Sequence, residues 1–138
     1  MALKRFSVKA GKTIFGMHMM LDAYGAPFKY LDDMKLVFKF LNDLPEKIEM
    51  SKLSSPLVVN ADESTTKFDP GGISGVILIN ESHISIHTFA KKGYLTMDVY
   101  SCSNFEDKVK AILRYTKETF PYKSHELQVV KRGLKYPA

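Results

Sequence analysis

Three consecutive stretches decide the fold: GISGVILIN (Gly72 to Asn80), ESHISIHTF (Glu81 to Phe89) and YLTMDVYSC (Tyr94 to Cys102). Each is a short apolar run with polar residues at alternate positions, the pattern of a strand with one buried face. Strand side chains point to opposite sides with period two. Ser82, Ile84, Ile86 and Thr88 therefore share one face, and His83, Ser85, His87 and Phe89 the other. In the third run Tyr94, Thr96, Asp98, Tyr100 and Cys102 oppose Leu95, Met97, Val99 and Ser101. This is a hairpin system with reactive groups on at least one face. Taken alone, it names no reaction.

Upstream, Thr13 to Tyr24 reads as a strand that ends at the turn Gly25-Ala26-Pro27. Leu31, Met34, Val37, Phe38, Leu41 and Leu44 recur at spacings of three and four, which predicts a helix over Phe28 to Leu44. Pro45 ends or restarts it, with a short continuation to Met50. Lys52 to Pro56 reads as a linker, Leu57 to Val59 as a short strand, Asp62 to Thr66 as a polar connection, and Phe68-Asp69-Pro70-Gly71-Gly72 as a tight entry to the central strand. Downstream, the apolar stripe Phe105, Val109, Ile112, Leu113, Thr116 and Phe120 predicts a second helix, stopped by Pro121. His125 to Lys131 alternates as a last strand. Strand, helix, strand, hairpin, helix, strand makes an α+β sandwich: a mostly antiparallel sheet with two helices on one face. The other face needs a cover, which a homodimer supplies.

The 138 residues read as one domain, 1–138, large enough to bury a core. One cysteine excludes an intrachain disulfide, and no metal-ligand spacing is present. This fits a reducing, cytoplasmic setting. The net charge of +5 comes from scattered lysines rather than a basic stripe interleaved with aromatics, so no nucleic-acid partner is expected. No segment has the length of a membrane span, and although Lys4 and Arg5 precede the apolar run Ile14 to Leu21, Gly16 and His18 interrupt it and no small-residue cleavage site follows, so no signal peptide is expected.

Several of these residues stand together in a known pattern. Ile73-Ser74-Gly75-Val76, Glu81-Ser82-His83, Ile86-His87-Thr88, Gly93-Tyr94 and Asp98-Val99-Tyr100 through Cys102 resemble, in order and spacing, the self-processing site of the small prokaryotic pyruvoyl-dependent S-adenosylmethionine decarboxylases. Gly16-Met17-His18 with Tyr24-Gly25, and Phe68 with Pro70, extend the resemblance over most of the chain. It implies the same sandwich, a dimer of processed chains, and cleavage between Glu81 and Ser82 into chains 1–81 and 82–138. It also implies a covalent pyruvoyl cofactor made from Ser82. That carbonyl forms a Schiff base with the substrate amine and serves as the electron sink when carbon dioxide leaves. The product then supports spermidine synthesis.

The resemblance assigns jobs residue by residue. His87 takes the place of the base that removes the Ser82 α-proton, and an imidazole titrates in the right range for it. Ser74 is the hydroxyl that stabilises the processing intermediate. Cys102 is the acid that returns a proton to the product; an ordinary thiol is protonated at neutral pH. Phe68 and Phe89 match positions that stack on the adenine, where a sulfonium also gains cation–π attraction. His18 and Asp22 lie on a strand expected to border the site, with Asp22 a candidate for substrate binding or a polar network. Each residue has a plain structural reading too: Ser82 as a strand serine, His87 as a satisfied core histidine, Cys102 as a small buried hydrophobe, Phe68 and Phe89 as core, and His83 as local structure.

One departure bears on substrate. After Thr88 the family commonly reads an aromatic, Pro and Glu, and the carboxylate accepts from the ribose hydroxyls; here the residues are Phe89, Ala90 and Lys91. Lysine has no acceptor. Relatives with the same chemistry act on arginine or ornithine and need an acidic partner instead. The readings are therefore an S-adenosylmethionine decarboxylase, the same chemistry on arginine or ornithine, or a non-enzymatic regulatory relative.

Overall fold

A computed structural model of the protein describes residues 15–61 and 71–137. The expected arm at Met1 to Lys12, the connection Asp62 to Thr66, and Phe68, Asp69 and Pro70 lie outside the described residues. Six strands form one wholly antiparallel sheet: β1 (Gly16–Tyr24), β2 (Leu57–Ala61), β3 (Gly72–Ile79), β4 (Ser82–Phe89), β5 (Tyr94–Ser101) and β6 (Ser124–Arg132), in the spatial order β2-β3-β4-β5-β1-β6. The helices are α1 (Phe28–Leu31), α2 (Met34–Lys47) and α3 (Val109–Thr119).

The sheet separates its residues by parity as the alternation requires. Ile73, Ile77, Ile84, Ile86, Leu95 and Val99 are buried on the face that α2 and α3 cover. From the helices, Val37, Phe40, Leu41, Leu44 and Ile112 close over them at full burial. Gly75 leaves room for this contact, because a Cβ there would lie 2.7 Å from Leu41 Cδ1. The opposite face carries Ser74, His87, Asp98, Tyr100, His18 and Asp22, and among the described residues no helix is layered over it.

The first helix differs from expectation. It breaks at Asp32–Asp33 into α1 and α2, and Asp33 caps α2 by accepting the Leu36 N–H at 3.0 Å. Pro45 lies inside α2 rather than ending it. Its missing N–H orphans one carbonyl near the helix end, and the chain closes with Ile48 and Met50 donating to Leu44 and Pro45. The expected linker is partly sheet-like: Lys52 bridges Ile79, and Leu53 donates to Leu78.

Thr88 ties these parts together. It is 1% exposed, its Oγ1 accepts from Ile73 N–H at 3.1 Å, and its hydroxyl donates to the Leu31 carbonyl at 2.8 Å. It thus holds β3, β4 and α1 in one contact. Gly72 fits beside it at φ +150°, where a Cβ would strike the Thr88 carbonyl oxygen at 1.8 Å. Thr88→Val keeps the shape but leaves a buried donor and a buried acceptor unpaired. It is expected to lower unfolding free energy by about 1–3 kcal/mol, read as a lower denaturant midpoint at unchanged slope.

Candidate active site

The hairpin of β3 and β4 turns at Asn80–Glu81, with Ile79 paired to Ser82. Glu81 adopts φ +54°, the left-handed region that a non-glycine residue seldom enters. Ser82 is 8% exposed; its hydroxyl donates to the Asn80 carbonyl at 3.1 Å and accepts the Cys102 N–H at 3.2 Å. The Cys102 thiol donates to Glu81 Oε2 at 3.3 Å. Glu81, Ser82 and Cys102 therefore make one cluster at the hairpin tip. β4 and β5 build it, since the register that pairs His83 with Tyr100 sets Glu81 beside Cys102 two steps beyond. Burial first, and then the hydrogen bond and charge of Glu81, push the Cys102 thiol above its ordinary value. The thiol keeps its proton, as a proton donor must.

Ser74 and His87 make a second cluster. They are direct cross-strand partners, and Ser74 Oγ lies 2.8 Å from His87 Nδ1. Together with Leu57, Val59 and Val76 they line an open cavity of about 140 Å³ on the uncovered face. This pair is a hydroxyl and an imidazole in contact, the combination that moves protons and stabilises oxyanions.

The structure does not bring the two clusters together within one chain. Ser82 and His87 stand five residues apart on the same strand, roughly 16 Å at about 3.3 Å per residue. Their side chains also take opposite faces, since Ser82 is on the helix side and His87 is not.

The remaining sequence candidates fall as follows. Phe68 lies outside the described residues. Phe89 is half-buried and stacks on Tyr94 with ring centroids 5.4 Å apart, and Tyr94 stacks on Tyr24 at 5.2 Å. Asp22 accepts from the Tyr94 hydroxyl at 2.7 Å, which makes it part of a polar network. Burial and this bond raise the Tyr94 pKa. Lys91 is exposed in the turn after Phe89. Two partnerships escaped the sequence reading. His18 Nε2 meets Asp98 Oδ1 at 2.8 Å on the uncovered face, and Glu81 engages Cys102 through its side chain. The hairpin register, once known, points to the second; the first joins residues 80 positions apart. Among the described residues no group of three or more His, Cys, Asp or Glu is placed to hold a metal, and no helix is long and apolar enough to cross a membrane.

The Glu81–Cys102 contact predicts a measurable acidity. In an uncleaved Ser82→Ala chain, adding Glu81→Gln removes the negative charge that raises the thiol pKa. More thiolate is then present at any pH below that pKa, so iodoacetamide should alkylate Cys102 faster at pH 8. Equal or slower alkylation would show that the carboxylate does not govern the thiol.

The model of the family described as S-adenosylmethionine decarboxylase matches residues 17–133. A relative from Sulfurihydrogenibium sp. (strain YO3AOP1), named S-adenosylmethionine decarboxylase proenzyme, is 36% identical over 119 residues, covering 86% of this chain and 83% of its own. One of the same name from Clostridium botulinum (strain Loch Maree / Type A3) is 31% identical over 118 residues, covering 86% and 94%. The crystal structure of the adenosylmethionine decarboxylase from Aquifex aeolicus VF5 superposes with a TM-score of 0.71 at 28% identity, covering 87% of this chain and 92% of that one.

Proposed function

This chain belongs to the S-adenosylmethionine decarboxylase family, and we propose that it is a self-processing proenzyme whose mature form decarboxylates S-adenosylmethionine through a pyruvoyl group made from Ser82. The observation that carries the proposal is the contact cluster of Glu81, Ser82 and Cys102 at the hairpin tip.

The residues around Ser82 fit such a group. The Ser82 hydroxyl is held by the Asn80 carbonyl, one peptide before the bond to be cut, and by the Cys102 N–H. Glu81, just before that peptide, keeps a left-handed backbone that costs a non-glycine residue on the order of 1–2 kcal/mol. In processing, a bond forms from Ser82 Oγ to the Glu81 carbonyl carbon while the Glu81–Ser82 C–N bond breaks, which leaves an ester and a free amine. Loss of the Ser82 α-proton then expels the Glu81 carboxylate as leaving group. Water replaces the nitrogen, which departs as ammonia. The pyruvoyl group so formed supplies the electrophilic carbonyl that ordinary side chains lack. Cys102 holds its proton next to this position, and Ser74 with His87 is the pair equipped to stabilise the oxyanion and accept the α-proton. Phe89, in its ladder with Tyr94 and Tyr24, offers a flat surface for the adenine.

Because His87 is roughly 16 Å from its own Ser82, we assign it to the Ser82 of a second copy. The uncovered face exposes Leu57, Val59 and Leu78, as a surface awaiting a partner does. In a two-fold contact, residue i of one chain meets j of the other and j meets i. A two-fold axis between the clusters therefore seats each hairpin tip over the other chain's Ser74–His87 cavity, and one contact completes two sites. The working form is then a homodimer of processed chains. Its free thiol suits the cytoplasm. The relatives above are named for S-adenosylmethionine, and no feature of the structure favours arginine, ornithine or a non-enzymatic role.

Intact-mass measurement of the denatured protein tests the processing. The expected species are residues 1–81 and a piece of 138 − 81 = 57 residues from position 82 that reacts with hydrazines; release of carbon dioxide from S-adenosylmethionine completes the assignment. A single 15.7 kDa species that persists on incubation would sink it. Mixing Ser82→Ala chains with His87→Ala chains tests the shared site. Each variant alone should stay intact, and the mixture should cleave only the His87→Ala chain. If the mixture stays intact, His87 serves its own chain.

A further inference from the structure

We propose that the groove between α3 and β6 binds an oligophosphate group, at a site separate from the hairpin chemistry. The groove encloses about 370 Å³. One wall is Lys110, Arg114 and Lys117, spaced by four and three residues and therefore on one side of α3. Leu113 and Tyr122 lie between that wall and His125, and Glu118 is the one acid that lines the groove. His125 has the parity of the buried Leu127 and Val129, so the groove lies on the helix side of the sheet, away from Ser74, His87 and Cys102.

Three observations point to an anion. First, none of the three cations makes an ion pair with a described residue. Lys39, Lys52, Lys108 and Lys131 each stand within ion-pairing distance of a carboxylate, whereas no carboxylate among the described residues reaches Lys110, Arg114 or Lys117. Lys117 lies instead over the Tyr122 ring, 5.4 Å from its centroid. Second, the helix does not call for this arrangement. Like charges at these spacings repel, and Lys110 occupies the first turn of α3, where the helix dipole disfavours a cation. Third, His125 reports the local field. Burial first lowers its pKa, and the Lys117 charge adds a smaller contribution in the same direction. Three cations along one wall suit a chain of phosphates better than a single carboxylate.

The test uses the full-length protein, with sodium tripolyphosphate as probe and the four histidines followed by NMR. Bound tripolyphosphate should raise the His125 titration midpoint by about one unit, the effect of an opposite charge within about 5 Å. Arg114→Gln with Lys117→Gln should weaken binding by at least about tenfold. Lys35→Gln with Lys92→Gln removes the same charge from exposed positions elsewhere and should leave binding unchanged. ATP shifting His125 as strongly as tripolyphosphate would identify nucleotides as the source; ATP failing where tripolyphosphate succeeds would identify inorganic polyphosphate. An unmoved His125, or equal weakening by the two double variants, overturns the site. Processing at Ser82 enters none of these readouts.

Discussion

A two-residue turn, Asn80–Glu81, fixes where every reactive side chain of the hairpins lies. With Ile79 locked opposite Ser82, Ser74 must fall opposite His87. A slip of one residue would put Ser74 and His87 on opposite faces and turn one strand's isoleucines, Ile73 and Ile77 or Ile84 and Ile86, outward. Burying those isoleucines is therefore also what aims the serine and the imidazole. Thr88 and Gly72 secure the far end of the same pair of strands, the first through hydrogen bonds and the second through close backbone approach. The register is thus clamped at both ends of the segment that carries the chemistry.

The two faces of the sheet divide the work. The helix-covered face holds the apolar core and supplies stability; the uncovered face holds His18, Asp22, Ser74, His87, Asp98 and the aromatic ladder. Such a face is unusual for a chain meant to stay alone, since Leu57 and Leu78 are each more than half exposed upon it. Separation of the two clusters gives that exposure a purpose in the proposed dimer. A newly folded chain carries its own scissile peptide but not the imidazole placed to finish the reaction. Cleavage then follows assembly rather than folding.

The sheet was legible in the sequence because period-two alternation is a local signal, carried most fully by β4 and β5. The faces of Ser82 and His87 follow from parity alone. The break at Asp32–Asp33 was hidden because the apolar spacing from Leu31 through Leu44 runs straight across it, and a single capping carboxylate is a weaker signal than a six-residue stripe. Pro45 left two readings open, an end or a continuation toward Met50, and the helix continues to Lys47 because a proline one turn from a helix end costs little when the freed carbonyl has neighbours to relax against. The Ser74–His87 contact could be read from the length of the turn. The His18–Asp98 pair could not, because it depends on β1 inserting between β5 and β6, a choice of topology that no local pattern encodes. The distance between His87 and Ser82 was legible in principle, as five strand residues cannot be short, but spacing within a motif invites the assumption that its members meet.

Glu81 has two roles in this scheme. Its backbone carbonyl is the electrophile of the proposed processing, and its side chain, after burial, adds to the raising of the Cys102 thiol pKa. Thiolates, not thiols, are alkylated and oxidised. The contact thus shields the chain's single cysteine while the precursor waits for its partner. In the proposed processing Glu81 becomes a chain terminus and loses its peptide link to Ser82, the constraint under which it now sits at φ +54°. The acidity of Cys102 then depends on its burial and on whatever enters the site, and substrate itself becomes one of the groups that set the proton donor. In the proposed scheme one strained turn residue thus belongs to both reactions, since its carbonyl lies in the bond to be cut and its side chain touches the thiol assigned as proton donor.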